Sequence, residues 1–370
     1  MNDTDKRPFF DTIIVGAGQA GLAMGYYLSR QDRDFILLDA HVQIGVSWRK
    51  RWDSLRLFTP AWISSLPQMP HAGPDEAFLS KDEIADYLER YAAHFHLPVR
   101  VNSHVDRLTR ENGHYLLMAG DQQLLARNVV VATGSYQQPQ VPAFASELDP
   151  DICQIHSSEY HNPNQLQDGG VLIVGAGSSG AEIALELASA RHVYLAGRDP
   201  GHRPKNIPRP LRHLYWWLMH KAINVDNRVG ARLREQAERG GAPLIGIAKQ
   251  AFAQVGVERT PRVTGVQNGR PLLQDGRILD VANVIWCTGF VPDYRWISLP
   301  IFDSKGYPLH YRGVVDHEPG LYFLGLPFQY TLTSSFVGGV GRDAEYIAEK
   351  IAARSPESST QNTRIKTALS

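Results

Sequence analysis

Two glycine-rich stretches have the residue types and spacing to bind a nucleotide. "VGAGQAG" (15–21) and "VGAGSSG" (174–180) each follow an apolar run and precede a helical pattern. In such a G-x-G-x-x-G turn, the first glycine permits a tight turn, the second lets backbone approach a pyrophosphate, and the third lets the helix pack on the strand. The helix N-terminus offers amide donors and partial positive charge. The sequence therefore predicts a first cradle of Gly16, Gly18, Gln19, Ala20 and Gly21, and a second cradle of Gly175, Gly177, Ser178, Ser179 and Gly180.

The residue that ends the second strand of each unit carries the opposite charge. Asp39 and Arg198 each lie 23 positions after the first glycine of their cradle. A carboxylate at that place accepts hydrogen bonds from ribose hydroxyls, whereas a guanidinium pairs with a 2′-phosphate. We therefore expect the first cradle to bind a nucleotide with a free ribose and the second to bind NADPH. Arg203 and Lys205 are expected to add positive charge near the second cradle.

Two cradles in one chain suit two cofactors that exchange electrons. NADPH delivers a hydride, and a flavin is the partner that can take two electrons and pass them on. FAD has the adenosine ribose and the pyrophosphate that the first cradle fits. The predicted cofactors are therefore FAD and NADPH.

The elements that must position these cradles can be traced along the chain. Each cradle is predicted to follow a buried strand and to lead into a helix. Residues 80–95 predict an amphipathic helix with Ser80 and Glu83 as its capping box. Short strands over 99–133 predict a β-meander attached to a parallel sheet. Residues 334–353 predict a long final helix with serine at its start.

Residues 199–262 have the weakest pattern, being basic and aromatic around the helix-like "LRHLYWWLMHKAI". We expect this segment to help shape a substrate pocket. Its "YWWLM" (215–219) could instead present an apolar stripe to a partner or a membrane, but a place in the core or the pocket lining is favoured.

Composition excludes several classes of protein. Lys plus Arg and Asp plus Glu both total 38 in 370 residues, so no net charge attracts nucleic acid or an anionic membrane. Cys153 and Cys287 form neither a CxxC pair nor a metal cluster. The N-terminus lacks a signal-peptide pattern, and no apolar run reaches the ~18–20 residues that span a bilayer. We expect a cytoplasmic protein with no metal site, nucleic-acid partner or membrane insertion, and a flexible polar tail over 354–370.

Seven motifs in order along 10–353 resemble the flavin-containing monooxygenase family, in its short bacterial form related to YUCCA-type enzymes. They are "VGAGQAG", "GVSWRKRWDSLRLFTP", "VVVATGSYQQPQVP", "IHSSEYHNP", "IVGAGSSGAEIA", "VIWCTGF" and "GLPFQYTLTSSFVGGVGRDA". Their order is more specific than any single motif, because a nucleotide unit stands between two Thr-Gly segments.

The resemblance implies an α/β fold with two Rossmann-like dinucleotide-binding domains of the three-layer ββα type. In this arrangement the FAD domain is discontinuous and consists of residues 1–145 and 284–353. An NADPH domain, residues 146–283, is inserted between its two parts.

The resemblance also assigns residues to the site. His156 matches the histidine of the fingerprint that precedes the second cradle in these enzymes, whereas Pro150 and Ile152 depart from that fingerprint. Phe58 and Thr59 stand where animal relatives carry an asparagine at the reactive flavin edge. His156, Phe58 and Thr59 are therefore the expected catalytic residues. Cofactor contacts outside the cradles are expected from Asp39, Ser47, Trp48, Val105, Thr133, Gly134, Arg198, Thr288, Gly289 and Ser335.

The implied reaction is oxygen insertion into a small molecule. NADPH reduces FAD, O2 forms a C4a-hydroperoxyflavin, and one oxygen atom passes to a soft sulfur or nitrogen nucleophile or to a ketone. An NADPH oxidase or quinone reductase with the same cradles is the alternative. A disulfide reductase would need the missing CxxC, and a redox sensor or interaction protein is the rival from another class. The expected partners are a small-molecule substrate and O2, with a homodimer left open.

Overall fold

The computed structural model describes residues 7–203, 207–240 and 243–354. Lys205 and the predicted tail after residue 354 lie outside the described residues. Strands and helices are numbered in chain order. The helices are α1 (Gln19–Ser29), α2 (Val46–Arg49), α3 (Lys81–His94), α4 (Ser178–Leu187), α5 (Arg209–Trp217), α6 (Arg228–Gly240), α7 (Lys249–Gln254) and α8 (Val340–Ala353).

A seven-stranded sheet unites the beginning and the end of the described chain. Its strands are β1 (Phe9–Val15), β2 (Phe35–Leu38), β3 (Val99–Arg100), β4 (Arg107–Glu111), β5 (His114–Ala119), β6 (Gln122–Val131) and β18 (Leu321–Phe323). Their order is β3-β2-β1-β6-β5-β4, and β18 pairs with the second half of β6. β4, β5 and β6 form the predicted meander, while β3 instead pairs in parallel with β2.

This first sheet is buried because both of its faces are covered. All four residues of β2 and the last four of β1 are buried, as expected for a parallel sheet between two layers. Helices α1, α3 and α8 pack on one face, with Leu22, Tyr91 and Ile347 in their shared core. On the other face the core includes Tyr294 and Ile301, which belong to the loops over 292–320 that precede β18.

A second, five-stranded sheet is entirely parallel. Its strands are β8 (Cys153–His156), β9 (Val171–Val174), β10 (Val193–Ala196), β13 (Glu258–Thr260) and β16 (Asn283–Trp286), in the order β13-β10-β9-β16-β8. α4 and α7 cover one face, where Ile183 and Phe252 share a core. The chain thus enters this sheet after leaving the first one and returns to the first at β18.

Three short strand pairs complete the structure. They are β7 (Gln138–Pro139) with β17 (Phe290–Val291), β11 (His202–Arg203) with β12 (Leu244–Ile245), and β14 (Val263–Gln267) with β15 (Arg270–Leu273). The antiparallel β7–β17 pair joins the two crossovers between the sheets.

The helix predicted over 80–95 is confirmed as α3. The Ser80 hydroxyl oxygen accepts a hydrogen bond from the Glu83 amide at 3.2 Å, and the Glu83 carboxylate accepts one from the Ser80 amide at 2.7 Å. This capping box satisfies two amides that the helix start leaves without partners.

The prediction for the final helix is wrong at its start. α8 begins at Val340 with Gly339 as its N-cap, not at Ser334. The Ser334 hydroxyl accepts hydrogen bonds from the Tyr330 and Thr331 amides at 3.0 and 2.9 Å. This side chain therefore fixes a turn before the helix instead of capping it.

The helix-like part of 199–262 is confirmed as α5, which continues into a π-helical turn at Leu218–Ala222. Across the described ranges, no helix has the length and apolar character needed to cross a membrane.

Candidate active site

The first cradle has the geometry that its glycines predict. Gly16 has a φ of +104°, and a β carbon there would lie 2.6 Å from the carbonyl oxygen of Ala132. A β carbon on Gly21 would lie 1.9 Å from the Gly16 carbonyl oxygen, so only glycine lets α1 pack this closely. A β carbon on Gly18 would meet nothing within 4 Å. The middle glycine therefore borders open space, where a ligand can approach the backbone.

Asp39 lies directly after β2 and is held in a fixed orientation. One carboxylate oxygen accepts the Ala17 amide at 2.7 Å, and the other accepts the His41 amide at 2.9 Å and lies 2.9 Å from the His41 Nδ1. Burial raises the pKa of Asp39, but the hydrogen bonds from His41 and Ala17 outweigh it and leave the pKa below its usual value. Asp39 is therefore an ionised acceptor beside the first cradle.

The second cradle repeats the same geometry. Gly175 has a φ of +111°, and a β carbon there would lie 2.1 Å from the carbonyl oxygen of Cys287. A β carbon on Gly180 would lie 1.9 Å from the Gly175 carbonyl oxygen, whereas one on Gly177 would meet nothing within 4 Å. Again the first and third glycines serve packing and the second borders open space.

The cations predicted near the second cradle occupy different places. Arg198 follows β10, separated from it by Gly197, which has a φ of +134°. The Gly197 carbonyl accepts a hydrogen bond from Arg259 at 3.0 Å. Arg203 lines the large cavity described below, and Arg198 does not.

The chain crosses between the sheets twice, first after β6 and then after β16, and each crossover packs on one cradle. The Ala132 amide donates to the Val15 carbonyl, and the Cys287 amide to the Val174 carbonyl, both at 2.8 Å. Each crossover then turns at a glycine of positive φ, +71° at Gly134 and +88° at Gly289. The two Thr-Gly segments thus lie beside their cradles, and their predicted contact with cofactor stays a prediction.

A cavity of about 1530 Å³ opens between the two sheets. Most of the predicted site residues line it: Gly16, Gly18, Gln19, Ala20, Asp39, Ser47, Trp48, Phe58, Thr59, Val105, Thr133, Gly134, Ser178, Ser179 and Ser335. The remaining predicted residues do not: Gly21, His156, Gly175, Gly177, Gly180, Arg198, Thr288 and Gly289. Both cradles therefore contribute to one space.

Phe58 and Thr59 lie in the cavity wall with their side chains already engaged. The Phe58 ring packs edge-on against Phe336 with centroids 5.3 Å apart. The Thr59 hydroxyl lies 2.8 Å from the Ser64 hydroxyl, which itself donates to the Pro60 carbonyl at 2.9 Å. The Thr59 proton is therefore directed at Ser64 and not at the cavity.

His156 is buried at the end of β8, outside the cavity lining. Its Nδ1 accepts the Ser158 amide at 3.1 Å, so its Nε2 carries the proton and donates to the Gly289 carbonyl at 3.1 Å. Burial lowers the pKa of His156 and favours the neutral ring. The ring ties β8 to the second crossover, and nothing in this geometry brings it to the reacting atoms. Its predicted catalytic part stays a prediction.

Sequence reasoning missed several residues of the cavity wall. It placed Arg203 near the second cradle and favoured the core or the pocket lining for 215–219, but it did not identify the other lining residues of the 199–262 segment, which are Ile223, Leu233, Pro243 and Ile245. Ile223 shares a helical face with 215, 216 and 219, a signal that could have found it. Arg51, Tyr136 and Phe290 also meet in this wall. They are far apart in sequence, so no local pattern connects them.

The two cysteines do not form a redox pair. Cys153 and Cys287 are both free, and burial raises the pKa of Cys287 to about 12. A thiol of that pKa is not a thiolate at neutral pH and is a weak nucleophile. Within the part of the chain that the structure describes, no three His, Cys, Asp or Glu side chains gather in a group that could hold a metal.

Comparison with known proteins agrees with this geometry. The sequence pattern of the pyridine nucleotide-disulphide oxidoreductase family matches residues 13–235. The chain is 42% identical over 348 residues to a Geobacillus kaustophilus protein described as an uncharacterized CzcO-like oxidoreductase, covering 92% of this chain and 98% of the relative. It is 27% identical to the probable indole-3-pyruvate monooxygenase YUCCA3 of Arabidopsis thaliana, covering 94% of this chain and 88% of the relative.

A solved structure has the same fold. The flavin-containing monooxygenase from Stenotrophomonas maltophilia superposes with a TM-score of 0.77 at 25% identity, covering 94% of this chain and 99% of that one. The family predicted from the motif order is thereby confirmed. The chain belongs to the pyridine nucleotide-disulphide oxidoreductases and, among them, is an enzyme of the flavin-containing monooxygenase family.

Proposed function

We propose that the protein is an NADPH- and FAD-dependent monooxygenase that inserts one oxygen atom of O2 into a soft sulfur or nitrogen nucleophile or a ketone. One observation carries the proposal: residues 16–20 of the first cradle and 178–179 of the second line the same cavity. Two dinucleotides that exchange electrons need such a shared space. The cavity volume of about 1530 Å³ exceeds the ~300–1,000 Å³ of an ordinary ligand pocket.

The first cradle fits FAD. The Asp39 Oδ2 accepts only the Ala17 amide from the protein and retains acceptor capacity for a ribose hydroxyl, whereas Oδ1 is occupied by the two His41 contacts. Gly18 leaves room for a pyrophosphate at the N-terminus of α1, where amide donors favour an anion. We assign FAD to a Rossmann-like domain of residues 1–145 and 284–353. Ser47, Trp48, Val105, Thr133, Gly134 and Ser335 are assigned to its contacts.

The second cradle fits NADPH. Ser178 and Ser179 begin α4 and line the cavity, so the amides of this helix N-terminus are available to a pyrophosphate. Arg198, at the end of β10, and Arg203 are assigned to the 2′-phosphate. This cofactor belongs to the Rossmann-like domain of residues 146–283, inserted between the two parts of the FAD domain.

The residues of the cavity wall bind and orient the cofactors and the substrate, and they exclude water. FAD, once reduced by NADPH, supplies the activated oxygen. Oxygen transfer needs a dry site, because water promotes the loss of activated oxygen as peroxide. Phe58 with Phe336, Trp216 of α5 and Met219 of the π-helical turn provide apolar walls. Trp216 and Met219 are each only 8% exposed.

An NADPH oxidase or quinone reductase is the second candidate. The observation that favours it is the engaged Thr59 hydroxyl, because neither Thr59 nor Phe58 offers a free donor where animal relatives carry asparagine. In that case reduced flavin would pass its electrons on without inserting oxygen.

The ratio of products to NADPH consumed separates the two candidates. The holoprotein is supplied with NADPH, O2 and a simple thioether, and sulfoxide, hydrogen peroxide and NADPH are measured together, with free FAD as the background. We expect sulfoxide to account for a large part of the NADPH consumed. Stoichiometric hydrogen peroxide with no oxygenated product from a thioether, an amine or a ketone would favour the oxidase or reductase.

A further inference from the structure

A half-buried arginine lies beside two aromatic rings in the cavity wall. The Arg51 guanidinium carbon is 5.3 Å from the centre of the Tyr136 ring and 5.4 Å from that of Phe290. The two rings are edge-on to each other with centroids 5.4 Å apart. They belong to the two crossovers, and all three residues line the cavity. We call this group the Arg51 cage.

The Arg51 side chain has no hydrogen-bond or ion-pair partner within the described chain. Its neighbour in sequence differs, because Arg49 pairs with Asp86 at 2.7 Å and with Glu89 at 3.0 Å. Burial lowers the pKa of Arg51, and the charge of Tyr136 offsets part of this effect.

The four carboxylates that line the same cavity are already engaged, and they are Asp39, Asp106, Glu182 and Asp293. Asp39 accepts hydrogen bonds from the Ala17 amide of the first cradle and from the His41 amide. Asp106 accepts the Gly120 amide at 3.0 Å, and Asp293 pairs with Arg295 at 2.5 Å. These groups therefore do not compensate Arg51.

The Arg51 donors face open space. Buried side-chain nitrogens without a partner include the Nε of Arg49 but none of the Arg51 nitrogens. The guanidinium is thus reachable from the cavity, while both aromatic rings lie on one side of it. A planar guanidinium held in this way can form two parallel hydrogen bonds with a carboxylate or phosphate, and cation–π contacts fix its plane.

We propose that Arg51 binds an oxyanion inside the cavity, carried either by an acidic organic substrate or by a phosphate of the nicotinamide nucleotide. The proposal rests on the proposed function in one respect, namely that this cavity holds cofactor and substrate. It adds a specificity-determining residue: molecules that bring a carboxylate or phosphate to the cage bind more tightly than their neutral counterparts.

Two substitutions separate charge from packing. Arg51→Met keeps an apolar stem but removes the charge, whereas Arg51→Lys keeps the charge and loses the planar fork. Arg100→Gln is the matched control, because the Arg100 side chain is outside the cavity lining and donates its hydrogen bond to the exposed Gln122 side chain. The oxidised holoproteins are titrated with NADP⁺ and, separately, with benzoate and with neutral benzamide, and their thermal midpoints are measured.

We expect Arg51→Met to weaken the binding of NADP⁺ or of benzoate by about tenfold or more, since a charge-assisted hydrogen bond is lost. Arg51→Lys should be intermediate, and Arg100→Gln unchanged. If only the affinity for NADP⁺ falls, the oxyanion that Arg51 binds is a nucleotide phosphate. If the affinity for benzoate falls and that for benzamide does not, the oxyanion belongs to an acidic substrate.

Unchanged binding of both anions in the Arg51 variants overturns the proposal and leaves the arginine as a structural clamp, whose loss would lower only the thermal midpoint. Should Arg51→Met fail to fold, Arg51→Lys decides by the same criterion. The titrations involve no oxygen transfer, so they can fail while the proposed oxygenation succeeds, and the reverse.

Discussion

The two cradles differ in one side chain and agree in nearly everything else. In both, the first glycine lies under a carbonyl at the base of a crossover, which belongs to Ala132 in one and Cys287 in the other. In both, the third glycine packs on the first and the second borders open space. At the end of the second strand, however, Asp39 stands in the first unit and Arg198 in the second. The two units therefore share one backbone geometry, and we propose that the charge at the strand end selects the dinucleotide.

The units also differ in how that charged residue is held. Asp39 is bound to its own cradle through the Ala17 amide, so its position is fixed together with the loop. In the second unit, the chain after β10 is fixed through its backbone, because the Gly197 carbonyl accepts a hydrogen bond from Arg259. The hydrogen bonds thus fix the Asp39 side chain in the first unit and the backbone at Gly197 in the second.

The largest expected effect comes from replacing the first glycine of each cradle by a residue with a side chain. We expect Gly16→Val to abolish FAD binding, because its β carbon would lie 2.6 Å from the Ala132 carbonyl oxygen. Gly175→Val, with a distance of 2.1 Å to the Cys287 oxygen, should retain FAD but lose reduction by NADPH. Flavin absorbance of the purified proteins and anaerobic reduction measure the two effects. Gly265→Ala, where a β carbon meets nothing within 4 Å, is the control. Loss of flavin from both valine variants would show that the cradles are not specialised.

The next largest effect concerns Asp39. Asp39→Asn should weaken FAD binding by about tenfold or more, because charge-assisted hydrogen bonds contribute roughly 1.5–3 kcal/mol. Fluorescence titration of the apoprotein with FAD measures the dissociation constant. Asp121→Asn, an exposed turn residue, should leave it unchanged. An equal affinity for FAD in the Asp39 variant would contradict the assignment of the ribose to this carboxylate.

Cofactor preference provides a sharper test of the second unit. We expect Arg198→Ala to reduce the efficiency of NADPH by about tenfold and to leave NADH nearly unaffected, since only NADPH carries the phosphate that a guanidinium pairs with. Stopped-flow reduction of the flavin by each nucleotide measures this. Arg203→Ala tests the neighbouring cavity residue in the same way. Equal losses for both nucleotides would mean that Arg198 supports the fold and not the phosphate.

The smallest expected effect is that of acidification, which should lower fold stability while leaving FAD binding nearly unchanged. Burial lowers the pKa of His220 and of His310 to about 4, and lowers that of His156. The unfolded chain therefore takes up these protons first, and stability falls as the pH drops from about 6.5 towards 4, by on the order of 1 kcal/mol per pH unit for each fully shifted histidine.

Asp39 behaves in the opposite way, because its pKa lies below the usual 3.8 and its carboxylate stays ionised throughout that range. We expect thermal midpoints to fall between pH 7 and 5, with little change in FAD affinity at low temperature. His220→Gln should flatten the pH dependence, whereas the largely exposed His104→Gln should not. A midpoint that is constant over this range would contradict the burial of neutral histidines.

The parts of the molecule that could be predicted from the sequence have local causes. Each cradle is specified by three glycines and one charge within 24 residues, and α3 by a capping box of four. The start of α8 could not be predicted in this way, because Ser334 could cap a helix or close a turn and tertiary contacts decide. The Arg51 cage is assembled only when the two crossovers meet. His156 fits a family pattern, yet its hydrogen bonds place it in the joint between elements.

The pairing of β7 with β17 has an evolutionary consequence. The chain leaves for the second sheet just after Gln138–Pro139 and comes back at Phe290–Val291, and these strands are direct neighbours. A segment whose two ends already touch can be gained, replaced or lengthened in a gene at little entropic cost to the surrounding fold.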